Sequence, residues 1–294
     1  MAFPTTSPPS FTAPWQVSLS NASGNLILGG NAYAIYEIDG LLGMPDVTTN
    51  DAQRPRNQGA YVGFDVMSER VLTITGDVVS DGTSLMHAIQ ALTAYMTPQQ
   101  GYGATEYPMW VYWPNFITNG TNTAVGLMVR PRKRPVNLDL GASIGAVADF
   151  TFQLAATDPR LYTAPVTTTV TASGGSTIGT LSCVNAGNYQ TSPVLTFTGP
   201  MNTGWQFVAS GAGTGTVVVN QALASGDTFS INLDTKVCTY TPSGGGATNG
   251  RSAISTAVTW PSGNVGTTTY TITAAGMTSS VSAASINYAS AYIV

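Results

Sequence analysis

Alternation of apolar and polar positions recurs along the first half of the chain at a period of two, the spacing at which strand side chains return to one face. Val71-Leu72-Thr73-Ile74-Thr75 is β-branched and bounded by Arg70 and Gly76-Asp77, and Met109-Trp110-Val111-Tyr112-Trp113 is an aromatic run. Both predict strands, as do Ala124 to Arg130 and the alternating Ala146 to Leu154. One stretch follows a helical period instead. Leu85, Ile89, Leu92 and Met96 fall at i, i+4, i+7 and i+11, with Thr83 or Ser84 placed as N-cap and Pro98 as terminator.

Beyond residue 165 no helical period occurs. Pro193–Gly199, Gly215–Val219, Thr228–Leu233, Val237–Tyr240 and Thr269–Thr273 read as short strands divided by Gly, Ser, Asn or Pro, the rhythm of an antiparallel sandwich or jelly roll. Gly211 to Gly215 reads as a strand-to-strand turn and Gly244 to Gly250 as a flexible loop tip.

Composition divides the chain at the same place. Of ten basic and fourteen acidic side chains, only Asp227, Asp234, Lys236 and Arg251 lie beyond residue 165, where 58 of 129 residues are Gly, Ser or Thr. A boundary near Thr163-Ala164-Pro165 therefore separates two expected domains, 1–165 and 166–294. Across the whole chain 43% of residues are apolar and only 8% charged, which favours a folded all-β protein over a disordered one. No run of about 18 apolar residues marks a membrane span, and the opening Met-Ala-Phe-Pro-Thr-Thr-Ser has no signal-peptide character.

Candidate chemistry is sparse. One histidine, His87, and two cysteines, Cys183 and Cys238, supply too few ligands for the usual Cys/His zinc sites; the cysteines read as buried thiols or a lone pair, and their scarcity suits a reducing cytosol. Gly141-Ala142-Ser143-Ile144-Gly145 matches a nucleophile-elbow pattern, yet no histidine follows Ser143 and a strand is expected next. Asp65 and Glu69 are the carboxylates a glycoside hydrolase would need. No phosphate loop, calcium loop or dinucleotide fingerprint occurs. The expectation is a protein with no catalytic residue, no cofactor and no metal site. A net charge of −4 also argues against sequence-specific nucleic-acid binding. Against that background Arg130-Pro131-Arg132-Lys133-Arg134 gathers four of ten positive charges in five positions and predicts ion pairing with carboxylates of a neighbouring subunit. Trp205 and Trp260 read either as core or as platforms for sugar rings.

The ordered features resemble the distal tail proteins, or minor tail proteins, of long-tailed bacteriophages. The resemblance rests on the Gly40-Leu41-Leu42-Gly43-Met44-Pro45 turn, Gly59 through Glu69 to Ile74, the helix from Leu85, the junction Phe150 to Tyr162, and Asn185-Ala186-Gly187-Asn188 with Gly226-Asp227-Thr228 and Ile231 to Asp234. It implies a tail-tube-like β-sandwich with one helix followed by a galectin-like or jelly-roll β-sandwich. It implies further a six-fold homo-oligomeric ring at the distal end of the tail tube, assembled in the host cytoplasm and carried in the virion. The implied partners are the tail tube protein, tail-tip or baseplate hub proteins and the tape measure protein, without a membrane. Arg130, Arg132, Lys133 and Arg134 then become candidates for a subunit interface or the lumen rim. The competing expectation is a carbohydrate-binding or adhesion module that recognises a host-surface polymer through the second domain.

Overall fold

The structure is a computed structural model that describes residues 3–21, 24–30, 32–54, 58, 60–61, 63, 65–79, 85–97, 105–117, 121–133, 136–137, 147–172, 177–257, 259–278 and 281–294. Two compact units emerge. One comprises Thr6–Leu161 with Ile293–Val294, and the other Tyr162–Tyr292 with Met1–Thr5. They are called the N-terminal and C-terminal units below.

The N-terminal unit contains β1 (Val17–Asn21), β2 (Gly24–Leu28), β3 (Tyr33–Asp39), β4 (Val47–Thr48), β5 (Ala52–Gln53), β6 (Ala60–Tyr61), β7 (Val66–Met67), β8 (Arg70–Val79), α1 (Leu85–Tyr95), β9 (Tyr107–Trp113), β10 (Thr123–Lys133), β11 (Val136–Asn137) and β12 (Val147–Ala156). Its strands run in the order β2-β1-β9-β10-β12-β8-β3, all antiparallel along this path. The longest ladder joins β8 to β12 over ten residue pairs, from Arg70 opposite Ala156 to Val79 opposite Val147. Strict alternation explains its strength: Leu72, Ile74 and Val78 are fully buried while Thr73 and Thr75 are half-buried. Burying each such aliphatic side chain stabilises the fold by roughly 1.5–3 kcal/mol.

Strand β10 changes partner along its length. Thr123 to Val129 pair with β9, whereas Arg130 to Lys133 pair with β12, with a bulge between Pro131 and Lys133. Proline lacks the N–H that a regular ladder requires, so an irregularity at Pro131 follows from the sequence. The predicted helix is present. Ala88, Leu92 and the following Met96 are its buried positions, and the Tyr33 hydroxyl donates to the Ala88 carbonyl at 3.1 Å. Leu85 and Ile89 are only half-buried, so the packed face is rotated slightly from the one expected. Thr83, Ser84 and Pro98 lie outside the described residues.

The C-terminal unit contains β13 (Leu161–Thr163), β14 (Val166–Thr171), β15 (Thr177–Asn185), β16 (Val194–Thr198), β17 (Trp205–Gly211), β18 (Gly215–Val219), β19 (Thr228–Asn232), β20 (Cys238–Thr241), β21 (Thr248–Asn249), β22 (Ile254–Ala257), β23 (Gly266–Thr273), β24 (Ala283–Tyr288) and β25 (Ala291–Tyr292). Two antiparallel sheets, β14-β24-β16-β19-β20-β21 and β15-β23-β17-β18-β22, contribute to one apolar core and form a β-sandwich. Trp205 is fully buried at its centre, 4.5 Å from the Phe197 ring and edge-on to Phe229, and its indole N–H donates to the Gln221 carbonyl at 2.8 Å. Of the two readings open for Trp205, the core one holds. Thr248 and Asn249 correct the expected loop tip, because they pair with Thr239 and Tyr240 as an edge strand. Phe3 packs on Tyr162 with ring centroids 5.9 Å apart, which places the start of the chain in this unit.

Candidate assembly surface

The Gly40 to Pro45 turn follows β3 and is organised by one side chain that sequence reasoning treated only as a strand boundary. Arg70 is 2% exposed. Its Nη1 faces the carbonyls of Gly40, Leu41 and Gly43 at 2.9, 3.0 and 2.9 Å, and its Nε donates to the Pro159 carbonyl at 2.8 Å. Nη2 lies 3.5 Å from the Val294 carbonyl, and the Gly43 N–H donates to that same oxygen at 3.2 Å. One guanidinium thus gathers the turn, the segment after β12 and Val294. Burial lowers its pKa, but an arginine remains charged at any physiological pH. Gly40 is required at the turn, since its φ is +78° and a Cβ would lie 2.0 Å from the Val71 carbonyl oxygen.

Around this anchored turn the surface is apolar. A cavity of about 570 Å³ is lined by Trp15, Ile35, Tyr36, Ile38, Leu41 and Leu42 among others. Tyr36 occupies a register shift between Ile35 and Glu37 on β3, an end strand of the sheet path, and is 66% exposed. A bulge on a sheet edge re-aims a side chain in this way. The Tyr36 hydroxyl donates to the Asp77 carboxylate. Beyond the turn, β4 pairs only with β7 and β5 only with β6, a narrow ribbon whose Tyr61 and Val66 are more than half exposed. A two-stranded ribbon is marginal in water by itself.

The basic run lies at the far end of β10. Arg132 Nη2 meets Glu69 Oε2 at 2.8 Å, and Arg130 Nη2 lies 3.9 Å from the same oxygen. Part of the charge expected to seek a neighbouring subunit is therefore met within the chain. Arg130 Nε has no hydrogen-bond partner among the described residues. Lys133 is exposed, and Arg134 lies outside the described residues. Glu69 and Asp65 are both exposed, and Glu69 is taken up by two guanidinium groups.

The remaining sequence candidates are scattered. His87 is exposed on α1, and Ser143 lies outside the described residues. Cys183 and Cys238 are free and buried, and burial pushes the Cys183 thiol up to about 12. Among the described residues no three His, Cys, Asp or Glu side chains are grouped to hold a metal, and no helix is long and apolar enough to cross a membrane. At the junction after β12, Arg160 makes a bidentate pair with Asp158, Nε to Oδ1 at 2.8 Å and Nη2 to Oδ2 at 2.7 Å, both side chains nearly buried. Sequence reading marked this segment as a closing turn but not its ion pair.

Among the described residues the chain is all-β with one helix, and its fold is similar to that of solved phage tail proteins. The SPP1 Dit (gp 19.1) protein, described as a paradigm of the hub adsorption apparatus in phages infecting Gram-positive bacteria, shares it at a TM-score of 0.58 and 15% identity, covering 88% of this chain and 93% of that one. A chain of the phage p2 baseplate in its activated conformation with Sr aligns at a TM-score of 0.50 and 10% identity, covering 93% and 97%. No protein-family model and no curated protein matches the chain.

Proposed function

We propose that this chain is a structural virion protein that closes into a hexameric ring at the distal end of a phage tail tube and connects the tube to tail-tip or baseplate proteins, with no catalytic activity. Its partners on this reading are further copies of itself, the tube protein, the hub proteins and the tape measure protein, met at the tail tip after synthesis in the host cytoplasm. The fold shared with SPP1 Dit supports the tail-tip role.

One observation carries the assembly itself. Among the described residues, every exposed aromatic, leucine, isoleucine and methionine of notable size lies on the N-terminal unit, including Trp15, Tyr36, Leu42, Met44 and Tyr61, whereas those of the C-terminal unit are all valines. Large exposed apolar groups on one body mark a surface built to be covered. Ring closure is heterologous, so each copy presents two different faces. The turn and cavity around Leu42 form one, and the ribbon carrying Tyr61 suits the other. Arg130, Arg132 and Lys133 flank these as a charged seam or lumen rim, with Arg134 continuing the run.

Light scattering tests the proposal. The wild-type chain is expected at six times its 30.4 kDa mass, and Leu42→Glu, which changes an exposed side chain, is expected to give monomers with unaltered thermal unfolding. A wild-type chain that stays monomeric at every concentration refutes the ring. The competing carbohydrate-binding reading has one feature in its favour, a cavity in the C-terminal unit lined by threonines, Asn249 and two cations.

A further inference from the structure

The C-terminal unit carries almost no charge, and the place where its two cations meet is therefore informative. From residue 166 onward the charged side chains are Asp227, Asp234, Lys236 and Arg251. Asp227 is consumed internally: its carboxylate accepts hydrogen bonds from the Ala224 N–H at 2.9 Å, the Ser243 N–H at 2.8 Å and the Tyr240 hydroxyl at 2.7 Å. Asp234 does not line the cavity described next. Lys236 and Arg251, fifteen positions apart, line one open cavity of about 700 Å³ at the β20–β21 edge of the sandwich.

Its walls are otherwise uncharged. Thr235, Thr239, Thr248 and Asn249 supply hydroxyl and amide groups, Val237, Cys238 and Ala247 add apolar surface, and no carboxylate contributes. Neither cation forms an ion pair among the described residues. Both are held by the backbone. Lys236 has φ +58° at the end of a turn in which Asn232 Oδ1 accepts the N–H groups of Asp234 and Thr235. Arg251 opens a short 3₁₀ turn, its N–H donates to Asn249 Oδ1 at 2.9 Å, and its guanidinium carbon lies over the Trp260 ring, 4.5 Å from the centroid, with the Cys238 thiol as a further partner. A guanidinium has five N–H donors, so one over an indole face retains donors for a planar anion.

We propose that this cavity binds an anionic sugar unit, the carboxylate or phosphate seated between Lys236 and Arg251 and the ring hydroxyls served by the threonines and Asn249. The volume falls in the range of small-ligand sites. Two cations lining one cavity whose walls include no carboxylate attract an anion, and wall hydroxyls select a hydroxylated carrier over a plain hydrocarbon acid. This site goes beyond the hub role and does not require a ring.

Calorimetric titration of the full-length chain with glucuronate, glucose 6-phosphate and glucose tests it. The acidic sugars are expected to bind with a Kd on the order of 1 mM at low salt, glucose not at all, and binding is expected to weaken as ionic strength rises. The carboxylate and phosphate arms separate the two anion chemistries, and saturation by either one supports the site. Lys236→Gln and Arg251→Gln are each expected to weaken binding about tenfold. Lys236 is exposed and has no cation–π contact among the described residues, so its variant remains informative even if Arg251→Gln disturbs folding. Absence of saturable binding by both acidic sugars, affinities unchanged in Lys236→Gln, or tighter binding of a polyglutamate peptide than of glucuronate would each overturn the proposal. Light scattering of the same samples reports the ring separately, so either conclusion can fail without the other.

Discussion

Replacing Arg70 by methionine removes the guanidinium while keeping an unbranched side chain of similar reach. Four carbonyl groups then lose a charged donor at 2.8–3.0 Å. The contact to Leu41 is fully buried, and an unsatisfied buried carbonyl costs about 1–3 kcal/mol. Those to Gly40, Gly43 and Pro159 are only partly buried, so water takes over and each exchange costs about 0.5–1.5 kcal/mol. Against this stands the relief of burying an apolar group where a charge was desolvated, which offsets part of the loss. The expected net is about 3–4 kcal/mol. For a unit of this size each kcal/mol lowers the midpoint by about 2–4 °C, so calorimetry is expected to show its transition falling by roughly 6–16 °C. The transition of the C-terminal unit is expected to stay in place, because the carbonyls all belong to the N-terminal unit. Lysine at position 70 keeps the charge but cannot span the turn and Pro159 together, and is expected to rescue less than half. A loss below about 1 kcal/mol, or full rescue by Arg70→Lys, would refute the anchoring role.

Two further outcomes follow from protonation. The Ser243 N–H, the Tyr240 hydroxyl and the Ala224 N–H hold the Asp227 carboxyl below its ordinary value. Its contribution to stability is therefore complete above the unfolded value, near pH 4, and disappears as pH falls through the lower folded value; in acid melts Asp227→Asn is expected to flatten that dependence in the C-terminal unit. Burial raises both thiols, Cys183 to about 12, so Ellman's reagent at pH 8 is expected to react slowly with the native chain and to count two thiols per chain once it is denatured.

Residues that report their own surroundings through local pattern were legible from the sequence. The alternation in Val71 to Thr75, the aromatic run of β9 and the 3.6-residue spacing of α1 each state which side of a local element is apolar; in the strands that side is buried, and in α1 the packed face is rotated, leaving Leu85 and Ile89 half-buried. The sparsity of metal and acid-base side chains is equally a property of composition. The edge strands were harder to see. At the two ends of the sheet path, β2 and its neighbour β1 have five residues each, β3 is interrupted by a bulge, and β1 and β3 take their places from β9 and β8, distant in the chain. Thr248 and Asn249 are a strand only because Thr239 and Tyr240 stand beside them.

What lies wholly in the tertiary structure is coincidence between distant positions. Nothing local announces that Arg70 will be enclosed by carbonyls from Gly40, Gly43, Pro159 and Val294, or that Phe3 will pack beside Tyr162. Arg132 was legible as a charge but not as the partner of Glu69, and Lys236 and Arg251 become one cavity only when β20 and β21 are paired. The physical reason is the range of the forces. Backbone propensity and side-chain period act over a few neighbours and are written into the order of residues, whereas enclosure, ion pairing and concave surface exist only after chain segments far apart have been brought within a few ångströms of each other.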